Sequence, residues 1–156
     1  MRVLLQRVSA GSVAVEGVVN GEIEQGFVAL VGVADADTRE VAERLAKKTA
    51  NLRVFSDDDG KMNLSLLDVN GGALVVSQFT LYADARKGRR PSYIDAAPPQ
   101  QAEPLVSHFA QCLQAAGVKR VEHGVFGALM QVEIHNDGPV TIMLDSADLH
   151  VPRRGA

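Results

Sequence analysis

The chain has 156 residues, the length of a single domain, and its 46% hydrophobic and 22% charged residues exclude an intrinsically disordered protein. Its net charge of -3 excludes a general nucleic-acid coat protein, although a local basic patch can still contact RNA. Cys112 is the sole cysteine, which excludes intrachain disulfides and cysteine metal clusters. Its place in an apolar helical pattern predicts a small buried hydrophobe.

The two ends of the chain bear on targeting signals and on order. The segment from Met1 to Arg7 is interrupted by charge too early for a signal peptide, and no apolar stretch reaches the ~18 residues of a membrane helix. We therefore expect a cytoplasmic protein without membrane contact. We also expect one domain over residues 1–146, followed by a weakly ordered tail over residues 147–156.

The first third of the chain is predicted to be mostly sheet. Residues 2–9 alternate between apolar and polar with one slip, which a β-bulge or an edge position would explain. Asn20-Gly21 tolerates positive φ at both positions and predicts a β-hairpin turn. Further strands are predicted over residues 12–15, 18–23 and 27–33, the last of them central because it is almost continuously apolar.

Two segments repeat apolar residues at helical spacing. The first covers residues 37–52, where Asp37 and Glu40 have the spacing of a capping box. In the second we expect Pro104 in the first turn and His108 exposed to solvent. The apolar face of this second helix consists of Ala102, Leu105, Val106, Phe109, Leu113 and Ala116, and Gly117 ends it.

The acidic run at residues 57–63 has the composition of a calcium-binding loop. Placing Gly60 at the sixth loop position puts Phe55 first and Leu66 twelfth, where acidic ligands are required. The run is therefore predicted to be a polar turn between strands.

The last third of the chain predicts three more strands, over residues 118–126, 130–135 and 140–144. Strands dominate, two helices cover them, and no repeat or linker divides the chain. The sequence therefore predicts a single α/β domain of mainly antiparallel or mixed sheets covered by two helices.

The stretch from Ala73 to Tyr82 changes abruptly from apolar to polar. Leu74 to Val76 indicate a strand covered on both faces, and Ser77, Gln78 and Thr80 follow where this strand leaves the core. Strand ends of this kind are common ligand sites in α/β sheets. The alternative is that these polar side chains only satisfy backbone groups at a turn.

A basic cluster follows in the surface excursion predicted over residues 83–99. It consists of Arg86, Lys87, Arg89 and Arg90. A solvated loop and a phosphate contact are both consistent with this charge run. The phosphate contact is favoured by the closeness in sequence of the basic cluster to Ser77 and Gln78.

The chain lacks the usual signatures of hydrolytic chemistry. Ser77 is not in a Gly-x-Ser-x-Gly elbow, and His135 is the only histidine beside a candidate site. His-x-His, His-Glu-x-x-His and Cys-x-x-Cys spacings are absent, as is a glycine-rich phosphate loop. An enzyme site here would work chiefly through shape, backbone dipoles and groups of the substrate itself.

Gly138-Pro139 fits that requirement. Proline fixes φ and glycine permits unusual backbone angles, so the pair can hold two carbonyl oxygens rigidly. The alternative is an ordinary turn between a strand ending near His135 and one starting at Val140. Two rival functions also remain: a small-molecule hydrolase using Ser77 or Thr80 with His135, and an RNA-binding or assembly module.

Together the two stretches resemble the D-aminoacyl-tRNA deacylases, also called D-tyrosyl-tRNA deacylases. Ser77-Gln78-Phe79-Thr80-Leu81 resembles the family's Ser-Gln-x-x-x motif. Residues 136–141, which contain Asn136, Gly138, Pro139, Val140 and Thr141, resemble its Asn-x-Gly-Pro-Val-Thr motif. The residues near Arg7, the Asn20-Gly21 pair and the stretch from Arg89 to Ser92 are also similar, so that the resemblance covers about residues 1–146.

The resemblance implies a homodimer in which the Ser77-Gln78 loop of one subunit joins Gly138-Pro139 of the other. It implies a cis Gly-Pro bond whose paired carbonyls exclude an L side chain but admit a D-residue or glycine. It also implies that Arg7 braces this loop and that the terminal adenosine of the tRNA lies near Phe79.

The implied reaction is hydrolysis of the ester between the amino acid and the tRNA terminal ribose, without metal or organic cofactor. Oxyanion stabilisation by backbone groups around Gln78 and Phe79, with help from the ribose 2′-hydroxyl, would suffice for an activated ester. Thr80 ranks below those backbone groups as a chemical participant. The resemblance further implies clearance of glycyl-tRNA mischarged on an alanine tRNA.

Overall fold

A computed structural model describes residues 1–150 of the chain. The elements in chain order are β1 (Arg2–Val15), β2 (Val18–Ile23), β3 (Gly26–Gly32), α1 (Arg39–Asn51), β4 (Phe55–Ser56), β5 (Met62–Leu64), β6 (Gly72–Ser77), a 3-10 turn (Phe79–Tyr82), α2 (Pro99–Ala115), β7 (Val121–His123), β8 (Met130–Asp145) and a second 3-10 turn (Ser146–His150).

The main sheet is mixed, with the order β2-β1-β3-β6-β7 and with β8 on the other edge of β1. β1 pairs antiparallel with β2, β3 and β8, whereas β3, β6 and β7 run parallel to one another. β4 and β5 form a separate small hairpin. The predicted α/β domain with a mixed sheet and two helices is confirmed.

The two faces of the sheet are covered differently. α1 and α2 pack on one face through residues such as Leu45 and Phe109, and this forms the larger core. A smaller apolar cluster, including Val13 and Leu74, fills the other face, where β2 and the start of β8 fold over the sheet. Because β3 and β6 are buried on both faces, their sequences are nearly continuously apolar.

The predicted slip in the first strand is a real irregularity of β1. Alternate residues are buried up to Arg7, where both Arg7 and Val8 are buried, and the β1–β8 register shifts on either side of Val8. The strand continues through residues 12–15 to Val15. Arg7 keeps the phase of the buried Val3 and Leu5, and after the irregularity Val8 and Val13 both belong to the smaller cluster on the other face.

The hairpin turn predicted at Asn20-Gly21 is wrong. The chain reverses at Glu16-Gly17, whose φ angles of 50° and 79° suit a two-residue hairpin turn. Asn20 lies within β2 as the extra residue of a bulge, since Val13 pairs with Gly21 and Ala14 pairs with Val19.

Both helices are present, but their starts differ from the prediction. α1 begins after Thr38, whose hydroxyl accepts from the Val41 N–H, while the buried Asp37 carboxylate turns inward to the Ala34 N–H. α2 begins at Pro99, so Pro104 lies in the second helical turn rather than the first. The prolines at positions 98 and 99 define this start because proline is favoured at the first helical position.

Several smaller predictions can also be compared with the structure. The acidic run is a hairpin turn, in which the Asp57 carboxylate accepts from the Asp59 and Lys61 N–H groups. Of the three C-terminal strands, the first is only Val121–His123 and the other two are parts of β8. The predicted tail begins with the second 3-10 turn, and residues 151–156 lie outside the described residues. None of the helices within residues 1–150 is both long and apolar enough to span a membrane.

Candidate functional site

A cavity of about 620 Å³ opens at the end of β6, where the polar residues were predicted to gather. Ser77, Gln78 and Phe79 form part of its wall. The rest of the lining is largely apolar. It comes from β3, α2, the start of β8 and the loops before α2 and β8, and includes Val31, Val106 and Met130. An apolar cavity with a few polar groups at one end is the usual form of a small-ligand site.

The backbone at Gln78 is fixed by its neighbours. Its N–H donates to the Val31 carbonyl at 2.8 Å, so this N–H is already occupied. Its side-chain amide donates to the Thr80 hydroxyl. Gly32 leaves room for the turn, because a Cβ at that position would lie 3.0 Å from the Gln78 carbonyl oxygen. The sequence motif is therefore a rigid turn seated directly on β3.

The next two N–H groups are differently placed. Phe79 and Thr80 open the 3-10 turn, and the first N–H groups of a helical turn have no partner within it. Among residues 1–150, neither of these groups donates to a protein acceptor. Thus the groups that could stabilise an oxyanion are the N–H groups of Phe79 and Thr80 rather than that of Gln78.

Gly138-Pro139 lies in a bulge of β8, which we define as residues 137–140. The prediction of an ordinary turn between two strands is wrong, because Asn136 pairs with Val8 and Thr141 pairs with Gln6 of the same strand β1. The peptide bond between Gly138 and Pro139 is cis. Both residues are exposed, so this bulge presents its backbone to the surface.

The side chains of Arg7 and Asn136 hold the bulge by hydrogen bonds to backbone carbonyls. The buried Arg7 donates to the Asp137 carbonyl at 3.1 Å and to the Val54 carbonyl at 2.6 Å. Asn136 donates to the carbonyls of Arg7 and Val140, each at 3.1 Å. These bonds fix the start of the bulge to β1, and Asn136 also joins the two ends of the bulge to each other.

The remaining motif residues lie beside these contacts. Val140 is half-buried and packs against the larger core. The Thr141 hydroxyl accepts from the Gln6 side chain at 3.4 Å. Both residues therefore continue β8 after the bulge.

The bulge and the cavity do not meet within one chain. Arg7, opposite the bulge, pairs with Phe27, which in turn pairs with Ala73. Ala73 lies four residues before Ser77 on β6, or about 13 Å at ~3.3 Å per residue. Gly138 and Pro139 accordingly do not line the cavity.

A triad of Ser77 or Thr80 with His135 does not fit this placement. His135 is exposed and does not line the cavity wall that Ser77 forms. In the described part of the chain no hydrogen bond joins His135 to Ser77 or Thr80.

Sequence reasoning missed a histidine that does lie near Ser77. His123, on β7, lines a recess of about 170 Å³ together with Ser77 and Glu103. Within the described part of the chain, no hydrogen bond joins Ser77 to His123. Only the parallel pairing of β6 and β7 reveals this closeness, because 46 residues of sequence separate the two side chains.

The basic cluster lies on an exposed loop whose ends are joined by the Asp84–Ser92 bridge. Arg86 is engaged by the Asp84 carboxylate at 2.7 Å. Lys87, Arg89 and Arg90 are exposed. The loop returns to the cavity at Tyr93, which lines the wall and contacts the Phe79 ring at a centroid distance of 5.1 Å.

One other cluster has the residue types of a metal site. The ligand atoms of Glu43, His108 and Cys112 lie within 4.8 Å of one another between α1 and α2. However, Nδ1 of His108 faces the Arg39 guanidinium at 2.9 Å, and a guanidinium only donates. The ring hydrogen must then sit on Nε2 and donate to Glu43, so Nε2 has no lone pair for a metal.

This cluster also corrects two predictions. His108 is buried and hydrogen-bonded between the helices, not exposed to solvent. Cys112 is half-buried, and burial together with the nearby Glu43 raises the pKa of its thiol. A protonated thiol is a poor nucleophile.

Comparison with known proteins gives concordant results. The family model described as D-Tyr-tRNA(Tyr) deacylase matches residues 4–145. A D-aminoacyl-tRNA deacylase from Thermomicrobium roseum is 65% identical over 96% of each chain. Another, from Chloroflexus aurantiacus, is 59% identical over 99% of this chain and 96% of its own length.

Two solved structures share the fold. The c-Myc DNA Unwinding Element Binding Protein is 40% identical, covers 93% of this chain and 98% of its own, and superposes with a TM-score of 0.87. A probable eukaryotic D-amino acid tRNA deacylase is 20% identical and superposes with a TM-score of 0.78 over 92% of this chain and 97% of its own. At this lower identity the second likeness concerns the fold alone.

Proposed function

The chain belongs to the D-Tyr-tRNA(Tyr) deacylase family, and we propose that it removes the amino acid from D-aminoacyl-tRNA by hydrolysing the ester to the terminal ribose. Water adds to the ester carbonyl carbon, and the bond from that carbon to the ribose oxygen breaks. Free D-amino acid and tRNA are released. The observation that carries this proposal is the Ser77–Thr80 turn at the wall of an apolar cavity.

The catalytic groups in this proposal belong to the backbone. The N–H groups of Phe79 and Thr80 stabilise the oxyanion that forms when water adds, and the ribose 2′-hydroxyl assists. Gln78 keeps the turn in register through its bond to Val31, and Ser77 ends the strand that leads into it. The Thr80 hydroxyl accepts from Gln78, which gives it a structural rather than a nucleophilic role.

Selection against L-amino acids is assigned to Gly138 and Pro139 of a second protomer. Arg7 and Asn136 hold the carbonyls on either side of this pair, at Asp137 and Val140, which limits movement of the Gly138 and Pro139 oxygens between them. An L side chain directed at those two oxygens would collide with them. The bulge is exposed and distant from the cavity of its own chain, which supports a contribution to the cavity of another copy. A homodimer would then contain two shared sites.

The tRNA is assigned to the surface around the cavity mouth. The terminal adenosine lies near Phe79, where Tyr93 offers a second aromatic ring. Lys87, Arg89 and Arg90 supply cations for phosphates of the acceptor end, with Arg86 beside them. Glycine has no side chain to collide with the bulge, so glycyl-tRNA mischarged on an alanine tRNA is a second proposed substrate.

The direct test measures release of tyrosine from D-tyrosyl-tRNA and from L-tyrosyl-tRNA under the same conditions. We expect rapid release from the D-ester and little from the L-ester. Comparable rates on the two esters would contradict the proposed selection, and no release from the D-ester would contradict the proposed reaction. Glycyl-tRNA(Ala) serves as a third substrate and is expected to be hydrolysed.

The shared site can be tested with mixed dimers. One chain carries Phe79→Pro, which removes an N–H of the proposed oxyanion site, and the other carries Gly138→Ala, which disturbs the bulge. If the site is shared, a heterodimer purified through two different tags pairs the intact turn with the intact bulge and hydrolyses only the D-ester. If each site lies within one chain, the active site of the heterodimer carries the altered bulge and hydrolyses both esters.

A further inference from the structure

Arg2, at the start of β1, contacts the end of the Phe79–Tyr82 turn in two ways and Asp145 in a third. Its Nη1 donates to the Leu81 carbonyl at 2.7 Å, and its Nε donates to the Asp145 carboxylate at 2.9 Å. The guanidinium carbon lies 4.5 Å from the centre of the Tyr82 ring. One planar side chain therefore joins the turn to the last residue of β8.

The turn has few bonds of its own to keep its position. Within it, the Leu81 N–H donates to the Gln78 carbonyl at 3.3 Å, and the Ala83 N–H donates to the Thr80 carbonyl at 3.0 Å. Short 3-10 segments have weak hydrogen-bond geometry and unsatisfied carbonyls at their ends. The Leu81 carbonyl is such an end group, and Arg2 satisfies it.

The sheet register explains why an arginine at this position reaches the turn. Gly32 on β3, Arg2 on β1 and Asp145 on β8 are direct cross-strand neighbours. A Cβ on Gly32 would lie 3.1 Å from the Leu81 Cβ and 3.2 Å from the Tyr82 ring. The turn therefore sits over a position without a side chain, and the neighbouring arginine holds it there.

The charges of this group favour a lasting contact. Burial raises the pKa of Asp145, but the Ala147 N–H and Arg2 together bring that pKa below its ordinary value. Burial, followed by the nearby carboxylates of Asp37 and Asp145, raises the pKa of Tyr82. Arg2 therefore meets an ionised carboxylate and a neutral ring, both of which attract a guanidinium.

We propose that Arg2 is a positioning residue of the deacylation site, holding the Phe79–Tyr82 turn so that the N–H groups of Phe79 and Thr80 face the bound ester. This rests on the proposed function of that turn. Arg2 does not touch the substrate and acts through the Leu81 carbonyl and the Tyr82 ring. Lysine cannot replace it fully, because an ammonium lacks the planar fork that serves the carbonyl, the carboxylate and the ring together.

The test compares Arg2→Gln and Arg2→Lys with Arg120→Gln, which removes another surface arginine that is paired with a carboxylate. We expect Arg2→Gln to lower kcat on D-tyrosyl-tRNA by roughly 10- to 100-fold, since small misplacements of reacting groups have effects of this size. KM should change by less than about threefold, because the cavity wall is kept. Arg2→Lys should restore part of kcat, and Arg120→Gln should match the unaltered enzyme.

Two further measurements separate positioning from a general role in folding. Backbone amide hydrogen exchange should accelerate at residues 79–83 in Arg2→Gln but not in the bulge of residues 137–140. Tyr82→Leu removes the ring but keeps the bond from Arg2 to the Leu81 carbonyl, so it should lower kcat by less than Arg2→Gln. The double variant of Arg2→Gln with Tyr82→Leu should be about as active as Arg2→Gln alone, because Arg2→Gln already removes the contact with the ring.

The proposal is overturned if Arg2→Gln lowers thermal stability but leaves kcat per folded enzyme unchanged. It is also overturned if kcat falls while exchange at residues 79–83 stays the same, since the effect would not act through the turn. Failure of the proposed function looks different. The unaltered enzyme would not release D-tyrosine, whereas the exchange measurement could still be read.

Discussion

The turn at the end of β6 and the bulge in β8 are both backbone structures held by an arginine of β1, yet they differ in where they face. The turn lines the cavity of its own chain and is bonded to Val31 in the core strand β3. The bulge is exposed and lies away from that cavity. The proposed function assigns rate to the turn and selection to the bulge, so that a change in one region should leave the other's function intact.

The largest expected effect comes from removing one N–H group of the turn. Phe79→Pro should lower kcat by about 10²- to 10³-fold, as expected for the loss of one oxyanion donor. Proline suits this first position of the turn because the preceding Gln78, with φ of -145° and ψ of 78°, is outside the helical region that a following proline disfavours. Phe79→Ala is the matched control, since it removes the ring and keeps the N–H. Single-turnover rates on D-tyrosyl-tRNA measure both.

If Phe79→Pro and Phe79→Ala lowered kcat equally, the loss would come from the missing Phe79 ring and not from the missing N–H. The assignment of rate to the backbone of the turn would then be wrong. A loss confined to KM would also count against oxyanion stabilisation, since that interaction strengthens only as the reaction proceeds.

Gly138→Ala should change selection rather than rate. Gly138 has φ of 127°, and an added Cβ would lie 2.8 Å from Val140 Cγ2 and 3.0 Å from Arg7 Nη2, so the bulge must shift. We expect the ratio of D- to L-ester hydrolysis to fall by on the order of tenfold or more, which is ~1.4 kcal/mol. Hydrolysis of the D-ester should stay within a few-fold. Parallel assays on the two tyrosyl esters give this ratio.

Gly17→Ala is the matched control for this change. Gly17 also has a positive φ, of 79°, but no atom lies within 4 Å of an added Cβ, and it is in the β1–β2 turn. It should lose some stability and keep the ratio. A lowered ratio in Gly17→Ala as well would mean that general loosening, and not the bulge, determines selection.

The turn could be predicted from the sequence better than the bulge. The apolar run of β6 and the polar residues after it correctly predicted a buried strand with polar groups at its end, because local pattern determines burial of a strand. The cavity at that end depends also on β3, α2 and β8, which are distant in sequence. The place of Gly138-Pro139 could not be read in the same way. A bulge within one strand and a turn between two strands have the same local composition, and only the pairing of both flanks with β1 distinguishes them.

Long-range contacts explain the other failures. His108 looked exposed by helical position, but Glu43 and Arg39 of the other helix meet it. Glu16-Gly17, rather than Asn20-Gly21, forms the hairpin turn because its placement matches the register of β1 and β2. The contacts of Arg2 with the turn span 79 residues of sequence and have no local signal.

The basic loop should contribute to binding of tRNA independently of the turn and of the bulge. Replacing Lys87, Arg89 and Arg90 with glutamine should lower kcat/KM on D-tyrosyl-tRNA and reduce the salt dependence of log(kcat/KM) by up to about one unit of slope per lost phosphate contact. The D/L ratio should not change. D-tyrosyl-adenosine, which lacks the tRNA phosphates, should be hydrolysed as well as before.

The control for this loss of charge replaces Lys47, Lys48 and Lys119, which are exposed elsewhere on the chain. It removes the same charge and should leave the salt slope unchanged. An equal effect of the two triple variants would reduce the role of the loop to general electrostatic attraction.

The smallest effect is expected for His123→Ala. This variant tests whether the backbone of the turn or a Ser77–His123 pair performs the chemistry. His123 shares a recess with Ser77 and Glu103, which is the placement a serine hydrolase would need, but no hydrogen bond within residues 1–150 joins the histidine to Ser77. If backbone N–H groups and the ribose hydroxyl perform the chemistry, kcat should change by less than about threefold. A loss near the ~10⁴-fold typical of a broken triad, appearing in both His123→Ala and Ser77→Ala, would make Ser77 the nucleophile and reduce the turn to its support.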